Sequence, residues 1–355
     1  RIVALAAPTG RAAKRLSEAA RTEATTRNRL LEWNPRTGSF LRDAAHPLEI
    51  DALVVDEASM LDLPLASRLL AALPSQATLV LVGDVDQLPP VGPGQVLKDV
   101  IDAGIAETVR LHEIFRQARD SAIVRAAHQI RMGQRPEPSA PGVHPAGDLH
   151  FVRADAPARA VERIVELCAR RIPDAYGLDP VRDMQVLVPV NRGTLGVDNL
   201  NLALQAALNP DGALAAAGLR IGDKVMQLRN DYEREIYNGD LGQVVGRSKD
   251  VVVVSFDAKT VVCEGDALDA LRLAYAATVH KSQGSEFAAV VVAIHPQHHV
   301  MLARNLLYTA VTRAKKLVVL VGSERAIARA VKNASAGQRF SGLCARLRPG
   351  PATRA

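Results

Sequence analysis

Two adjacent carboxylates follow a run of apolar β-forming residues in the first part of the chain. Asp56 and Glu57 come directly after Leu53-Val54-Val55, and this run predicts a buried strand of a parallel sheet. Open α/β sheets bind ligands beyond the carboxyl ends of their strands, so we expect both side chains to lie in a crevice. One carboxylate there could hold Mg²⁺, and its neighbour could polarise an attacking water molecule.

A second predicted strand ends in a polar loop of the same kind. Thr78–Val82 is followed by the segment Gly83–Gly94, which is marked by glycine and proline. Within it, the amide of Gln87 offers both a hydrogen-bond donor and an acceptor, so it could contact a phosphate and a water molecule together. Because parallel strands end at the same edge of a sheet, the two loops predict one shared site.

Length and composition predict a globular protein of two domains. The chain has 355 residues, more than one typical domain, and its hydrophobic content of 48% excludes a disordered chain. Cys168, Cys263 and Cys344 lie far apart without the spacing of metal ligands, which suits a reducing compartment. This cysteine usage leads us to expect a cytoplasmic protein. No apolar run approaches the ~20 residues that a membrane span requires.

The positive charge is concentrated at the two ends of the chain. Residues 301–355 contain 11 Lys and Arg against one acidic residue, and residues 1–47 contain nine against four. Such a bias fits a polyanionic partner. The simpler interpretation, a charged surface that keeps the protein soluble and a frayed basic tail, stays open at this point.

The first part of the chain alternates predicted strands and helices. The segments concerned are Ile2–Ala6, Arg11–Ala20, Ala52–Val55, Leu63–Leu73 and Thr78–Val82. Their order predicts a parallel, doubly wound sheet with right-handed crossovers. Residues 22–50 interrupt this pattern, and Trp33–Phe40 predicts a turn flanked by aromatic residues, hence a small hairpin outside the sheet.

A second alternating unit follows a proline-rich connection at residues 133–147. It begins with the predicted helix Ala156–Arg171, the strand Met184–Val188 and the helix Gly193–Asn209. Short strands separated by turns then predict a small inserted β-barrel, at Lys224–Leu228, Gly242–Arg247, Val251–Phe256 and Thr260–Cys263. The sheet is expected to resume with Leu273–Ala277, Ala289–Ile294 and Leu317–Val321.

Four further segments carry polar or charged residues that could contact a ligand. Ala7–Leu16 lies at a strand-to-helix turn, where free N–H groups and nearby cations favour an anion. Ala277–Phe287 follows a predicted strand and is expected to open a helix. Leu111–Gln117 contains Arg116, and the predicted helix of Asn305–Lys315 carries Arg313. A guanidinium stays charged and can contact two phosphate oxygens at once.

Together these segments resemble those of superfamily 1 DNA helicases of the RecD type, from Ala7 to about Ser323. The resemblance implies an α/β fold with two RecA-like parallel-sheet domains, an inserted small SH3-like β-barrel and a short hairpin insertion that separates strands. The implied ranges are 1–108 for the first domain with the hairpin insertion at about 22–50, 109–213 with 273–335 for the second, 214–272 for the barrel and 336–355 for a basic tail.

The resemblance also implies a function. The intact protein would be an ATP-dependent 5′→3′ DNA helicase that moves on single-stranded DNA in repair or recombination, with ATP and Mg²⁺ as cofactors. Its partners would be single-stranded DNA and duplex junctions. If the protein is the motor subunit of an exonuclease complex, the other subunits of that complex would also be its partners.

Roles in ATP hydrolysis are implied for residues that match the family motifs. Glu57 would be the catalytic base, and Gln87, Arg116 and Arg313 would act at the γ-phosphate. Asp56 would bind Mg²⁺ through water. The residues implied to lie near the nucleotide are Gln283, Gly284 and Glu286. The residues implied to contact DNA are Pro8, Thr9, Arg11, Thr278, His280, Lys281 and Ser282.

The chain departs from the family in two places. Family members carry G-x-x-x-x-G-K-[ST] ahead of the first strand, but here no Gly is followed by Lys, and the chain begins at Arg1. We therefore expect a fragment that lacks this phosphate-binding segment and is inactive alone, although its parent is an enzyme. Arg27 and Asn28 also stand where the family usually has an apolar residue and a histidine.

Two alternatives to a RecD-type helicase stay open on the sequence. The first is the helicase part of a conjugative relaxase, which shares most of these motifs. The second is a single-stranded DNA-binding remnant without ATPase activity.

Overall fold

The computed structural model describes residues 1–34, 37–111, 121–139, 147–231, 233–248, 251–257, 259–334 and 339–348. The chain divides into two compact units, Arg1–Glu113 with Gly337–Ala355, and Ile114–Ala336. Each unit contains a parallel sheet packed on its own hydrophobic cluster. The predicted pair of parallel-sheet domains is therefore confirmed.

The first unit begins with strands and helices in alternation. Its described elements are β1 (Val3–Ala7), α1 (Gly10–Ala20), β2 (Ala24–Thr26), α2 (Arg27–Leu30), β3 (Trp33–Asn34), β4 (Ser39–Phe40), β5 (Ala52–Val55), α3 (Leu63–Ala72), β6 (Thr78–Leu81) and α4 (Val96–Ala103). Within the described residues, four parallel strands form one sheet in the order β2-β1-β5-β6.

One face of this sheet packs on helices. Ala6, Leu53 and Val55 share a buried cluster with Leu69 and Ala72 of α3. Because all four strands run in the same direction, the loops that follow them lie at one edge of the sheet, which we call the carboxyl edge. The apolar runs that predicted β1, β5 and β6 thus place three polar loops side by side.

The segment after α1 contributes a strand to the sheet. Residues 24–26, within the stretch 22–50 that interrupts the predicted alternation, pair with β1 as an edge strand, through Leu5↔Ala24, Ala6↔Thr25 and Ala7↔Thr26. The segment has no apolar run, so its local pattern does not reveal the pairing. The predicted hairpin is confirmed, because β3 and β4 pair antiparallel and the rings of Trp33 and Phe40 meet at 4.9 Å between centroids.

Residues 339–348 pack on the first unit. Leu343–Leu347 forms a short helix beside α4. Arg339 Nη2 donates a hydrogen bond to the carbonyl oxygen of Pro90 at 2.9 Å, and Ser341 Oγ donates to Asp99 Oδ2 at 3.0 Å. The described part of the predicted basic tail is therefore held against α4 and the loop before it, because side-chain contacts distant in sequence fix it there.

The second unit contains a parallel sheet and the barrel. Before the barrel its described elements are α5 (Ala122–Arg131), β7 (Leu149–Arg153), α6 (Pro157–Glu166), a π-helical turn (Leu167–Arg171), α7 (Ile172–Tyr176), β8 (Met184–Val188) and α8 (Val197–Leu208). The barrel contributes β9 (Lys224–Gln227), β10 (Leu241–Ser248), β11 (Val251–Phe256), β12 (Lys259–Cys263), α9 (Asp266–Asp269) and β13 (Leu271–Leu273). The last elements are β14 (Ala276–Thr278), β15 (Phe287–Ile294), α10 (Arg304–Val311), β16 (Ala314–Gly322) and α11 (Glu324–Lys332).

The two sheets of this unit differ in kind. In the described residues, the parallel sheet has the order β14-β8-β15-β16-β7, and every residue of β8 is buried. Burial along the whole of a central strand is typical of a sheet with helices on both faces. The barrel sheet is antiparallel in the order β12-β11-β10-β9-β13, and the alternating burial of β11 matches one packed face.

The predicted strand Leu273–Ala277 is wrong as a single element. Leu271–Leu273 pairs with β9 in the barrel, whereas Ala276–Thr278 pairs with β8 in the parallel sheet. The chain crosses between the sheets at Ala274, whose N–H donates to the carbonyl of Lys224 at 2.8 Å. The apolar run continues through this crossing, so hydrophobic periodicity cannot mark it.

A buried carboxylate joins the barrel to the parallel sheet. Asp223, fully buried just before β9, accepts hydrogen bonds from Gln205 and Asn209 at the end of α8, at 2.6 and 2.7 Å. It also accepts from the hydroxyl of Tyr275 at 2.9 Å and from the N–H of Arg220 at 2.7 Å. Burial, and then this carboxylate, raise the pKa of Tyr275. One side chain thus connects α8 to the segment that enters the barrel before β9 and to the segment that leaves it after β13.

In the described part of the chain, no helix is both long and apolar enough to cross a membrane.

Candidate functional site

Asp56 and Glu57 stand at the carboxyl edge of the first sheet, directly after β5. The N–H of Asp56 donates to the carbonyl of Ala6 at 2.9 Å, and Asp56 Oδ1 accepts from the N–H of Glu57 at 2.8 Å. Glu57 has φ 49° and ψ 40°, in the left-handed region that residues with a Cβ seldom adopt. The turn ends the strand at once, so both half-buried carboxylates lie at its tip.

The Gln87 loop follows the neighbouring strand and lies against the Asp56–Glu57 turn. The N–H of Ala58 donates to the carbonyl of Val82 at 2.8 Å, and a Cβ added at Gly83 would come within 2.9 Å of the backbone nitrogen of Ser59. A glycine is therefore needed for this close approach. Gln87 Nε2 donates to Asp84 Oδ2 at 3.3 Å, whereas the buried Gln87 Oε1 accepts no hydrogen bond from the described residues.

The donor set at this edge fits a magnesium ion that is shared with a nucleotide. Among the described residues, no three His, Cys, Asp or Glu side chains lie close enough to hold a metal ion by themselves. Mg²⁺ in nucleotide sites commonly takes one or two carboxylates, with phosphate oxygens and water as the other ligands. Asp56 meets this need, because only its Oδ1 accepts a hydrogen bond within the described residues, from the N–H of Glu57.

Pro8 and Thr9 lie at the same edge, in the turn between β1 and α1, and Arg11 lies in the first turn of α1. The hydroxyl oxygen of Thr9 accepts from the N–H of Ala12 at 3.2 Å and caps α1. A hydroxyl that accepts one bond can still donate its hydrogen, so Thr9 remains able to contact an anion. The turn thus lies next to the Asp56 strand end, because β1 and β5 are neighbours.

The second group of predicted DNA contacts lies in the second unit, in the tight turn after β14. The sequence predicts a helix here, but the structure has only a 3₁₀ turn, His280–Ser282, before the chain enters β15. Thr278 Oγ1 accepts from the N–H of Lys281 at 3.3 Å, and Ser282 Oγ donates to the carbonyl of Val279 at 2.8 Å. Both hydroxyls therefore stabilise the turn, whereas the side chain of Lys281 is exposed.

A cation that the sequence pattern did not single out accompanies Lys281. Burial, and then the charge of Arg272 on β13, lower the pKa of Lys281, and burial lowers the pKa of His280. Arg272 is exposed. The one feature of the sequence that could have indicated an outward-facing cation here is its position between two apolar residues of a short strand. Two neighbouring cations repel one another, and a phosphate between them would relieve that repulsion.

The residues implied to lie near the nucleotide form two adjoining loops of the second unit. Arg313, which is 5% exposed, donates from Nη1 to the carbonyl of Ser285 at 3.2 Å and from Nε to that of Thr309 at 3.3 Å. Glu286 forms an ion pair with Lys315 at 3.2 Å. The helix before Arg313 ends at Val311, so Arg313 lies in the turn before β16, not on the helix as predicted.

Gln283 and Gly284 are buried in the first of these loops, between Ser282 and Ser285. Gly284 has φ 72°, a left-handed conformation that suits glycine. The loops therefore bring Gln283, Gly284, Glu286 and Arg313 together. Arg116 belongs to residues 112–120, which lie outside the described residues.

Comparison with known proteins gives three family models along the chain. An AAA domain matches residues 1–153, the SH3 domain of ATP-dependent RecD-like DNA helicases matches residues 200–256, and the UvrD-like helicase C-terminal domain matches residues 273–321. The middle match covers the start of the described barrel. It identifies that barrel as the SH3-like module that the sequence predicts.

Two curated relatives resemble the chain along most of its length. The ATP-dependent RecD2 DNA helicase of Deinococcus radiodurans is 41% identical over 329 residues, which is 91% of this chain and 43% of that protein. The RecBCD enzyme subunit RecD of Mycolicibacterium smegmatis is 36% identical over 378 residues, which is 98% of this chain and 66% of that protein. The chain thus spans about half to two thirds of these relatives.

Several of the solved structures that resemble the chain are Pif1 helicases. The structure of a Bacteroides Pif1 with ADP-AlF3 and single-stranded DNA has a TM-score of 0.52 at 20% identity, and covers 90% of this chain and 82% of its own. A structure of Pif1 helicases at forked double-stranded DNA has the same TM-score at 21% identity, and covers 90% of this chain and 81% of its own. These likenesses concern the fold.

Two RecA-like parallel-sheet domains with an SH3-like module in the second are the architecture of a superfamily 1 helicase. Within that class, the chain belongs to the RecD-like helicase family.

Proposed function

We propose that the protein is the motor part of an ATP-dependent DNA helicase that moves 5′→3′ on single-stranded DNA in repair or recombination. The observation that carries the proposal is the carboxyl edge of the first sheet. Two carboxylates and the loop of Gln87 meet there at neighbouring strand ends, and the buried Gln87 Oε1 accepts no hydrogen bond from the residues that the structure describes. An acid pair beside an amide suits Mg²⁺-assisted hydrolysis of a phosphoanhydride.

Each group at this edge has a proposed role in hydrolysis. Asp56 would hold Mg²⁺ through water, Glu57 would accept the proton of the attacking water, and Gln87 would orient that water. From the second unit, Arg116 and Arg313 would stabilise charge on the γ-phosphate, and Gln283, Gly284 and Glu286 would lie near the nucleotide. When bound, Mg²⁺ would neutralise developing charge on the phosphate oxygens.

ATP hydrolysis also needs a cradle for the β- and γ-phosphates. The G-x-x-x-x-G-K-[ST] segment that forms this cradle contains a Gly followed by Lys, and this sequence has no such pair. We therefore propose that the 355-residue chain by itself does not turn over ATP, and that the full gene product does. DNA-stimulated phosphate release by the purified chain, lost on Glu57→Gln, would contradict this part of the proposal.

DNA would be gripped mainly through its phosphates. Aromatic residues make up 3% of the chain, which is too few for extensive base stacking. The proposed contacts at the carboxyl edge are Pro8, Thr9 and Arg11. Those of the second unit are Thr278, His280, Lys281 and Ser282. The hairpin of Trp33 and Phe40 would separate the strands, and the protein would work in the cytoplasm, free or with exonuclease subunits.

Lys281→Ala tests the phosphate contact directly. Because each phosphate contact releases counterions from single-stranded DNA, the salt dependence of the logarithm of affinity should flatten by about 0.7. The measurement is fluorescence anisotropy of labelled oligo(dT) with the 355-residue chain over a range of KCl concentrations. Lys332→Ala is the matched control, since Lys332 is an exposed lysine at the end of α11. Equal slopes for the two variants would remove Lys281 from the interface.

A further inference from the structure

An arginine with unpaired nitrogens is buried at the end of β2. Arg27 is 5% exposed, and its Nε and Nη1 have no hydrogen-bond partner among the described residues. Two residues earlier, the hydroxyl of Thr25 is also buried without a partner in that part of the chain. Three polar atoms that can all donate hydrogen bonds are thus unpaired within one short segment.

Both side chains belong to the carboxyl edge of the first sheet. Thr25 pairs with Ala6 and Thr26 with Ala7 in the parallel ladder of β2 and β1. Arg27 follows immediately, so it lies beside the turn that begins at Pro8. The edge strand β2 therefore adds a fourth polar strand end to the three that the sequence predicts.

The energetics of Arg27 favour an anionic partner. Burial lowers its pKa to about 10, which the charge of Asp62 only partly opposes. No ion pair within 4.0 Å joins Arg27 to a carboxylate in the described residues, and Asp62 Oδ1 instead accepts from the N–H of Leu65 at 2.9 Å. A buried, unpaired charge typically costs several kcal/mol, and at pH 7 a guanidinium stays charged.

Turning the guanidinium toward solvent would break no hydrogen bond of Nε or Nη1 within the described part of the chain, because neither nitrogen makes one there. In that position the guanidinium would be hydrated or would contact an anion, and either would relieve the cost of burying its charge. Arg27 is therefore better explained by a ligand than by the fold.

We propose that Arg27 and Thr25 form a phosphate-binding site at the end of β2. The guanidinium contacts two phosphate oxygens, and the Thr25 hydroxyl donates to one of them. The phosphate belongs to the backbone of single-stranded DNA that passes the Pro8–Thr9 turn. This nucleic-acid source rests on the proposed function, whereas the phosphate chemistry of the site does not.

The stability of Arg27→Leu separates a ligand site from a structural arginine. Without ligand, removal of an unpaired buried charge should raise the unfolding temperature of the 355-residue chain by roughly 2–4 °C. Arg29→Leu is the control, since Arg29 lies in the same segment, carries the same charge and is exposed. A lower unfolding temperature for Arg27→Leu than for Arg29→Leu would make Arg27 a structural partner of Asp62 and would overturn the proposal.

The response to ligand gives the second readout. Oligo(dT) should raise the unfolding temperature of the wild type and of Arg29→Leu. It should raise the unfolding temperature of Arg27→Leu by a much smaller amount. Oligo(dT) affinity should fall about tenfold in Arg27→Leu, as expected for one charge-assisted contact. Thr25→Val should show a smaller rise in unfolding temperature with oligo(dT) than the wild type, and the same unfolding temperature without ligand. Equal responses of Arg27→Leu and Arg29→Leu would overturn the site.

Inorganic phosphate at matched ionic strength distinguishes the source of the phosphate. An Arg27-dependent response to oligo(dT) supports the DNA backbone, and an Arg27-dependent response to inorganic phosphate alone supports the site with a free phosphate as its ligand. If the wild type binds no oligo(dT), the proposed function fails, and the inorganic phosphate measurement still decides the site. If Arg27→Leu does not fold, Arg27→Met replaces it, because an unbranched side chain fills the same space.

Discussion

Glu57→Gln in the full gene product should lower DNA-stimulated ATP hydrolysis by roughly 10²–10⁴-fold, the usual effect of removing a positioned general base. Glutamine keeps the shape of the side chain but cannot accept the proton of the attacking water. The left-handed backbone at Glu57 is unchanged by this substitution, so the turn should persist. The measurement is steady-state phosphate release with saturating oligo(dT), with oligo(dT) affinity as the test of folding.

The chain offers a matched control for this substitution. Glu49→Gln removes the same charge from an exposed position that precedes β5, at the opposite end of that strand. It should leave kcat within about twofold, because exposed charges far from a site contribute little. If Glu57→Gln keeps more than a tenth of the wild-type kcat, Glu57 is not the base and the proposed hydrolytic role of the acid pair is wrong.

Asp223→Ala should lower the free energy of unfolding by roughly 3–5 kcal/mol, because it leaves several buried donors unpaired. Gln205, Asn209, Tyr275 and the N–H of Arg220 all donate to this one carboxylate. The measurement is urea unfolding of the 355-residue chain, followed by circular dichroism. Since the chain has two units, the transition of the second unit should move, and that of the first should not.

Two further variants define the cause of this loss. Asp211→Ala removes an exposed carboxylate from the loop after α8 and should change the free energy of unfolding by less than about 0.5 kcal/mol. Tyr275→Phe removes a single hydrogen bond to Asp223 and should cost about 1 kcal/mol. A loss under 1 kcal/mol in Asp223→Ala would mean that the carboxylate does not hold the barrel to the sheet.

The Asp223 contacts bear on the proposed DNA contacts of the second unit as well as on stability. They fix the point where the chain leaves the barrel, and Arg272 lies on β13 just before that point. Arg272 is close enough to Lys281 to lower its pKa. If the barrel loosens, Asp223→Ala should therefore weaken oligo(dT) binding in addition to destabilising the second unit.

Central strands of the two parallel sheets and one strand of the barrel follow from the sequence. Ala52–Val55, Met184–Val188 and Val251–Phe256 have the same bounds in the structure as in the sequence prediction. Apolar runs and alternations are local signals that fix such segments, because burial on one or both faces dictates the side chains. The polar loops after β5 and β6 follow in the same way, and so does the shared edge at which Asp56 and Gln87 lie.

Only the tertiary structure decides the pairings and contacts between segments that are distant in sequence. β2 joins the sheet through β1 without an apolar run of its own, and the run 271–278 divides between two sheets. The partners of Asp223 and the unpaired nitrogens of Arg27 depend on which side chains meet in the folded chain. The sequence therefore determines the elements and the chemistry at their ends, whereas hydrogen bonding and burial between distant segments determine which of those groups are paired.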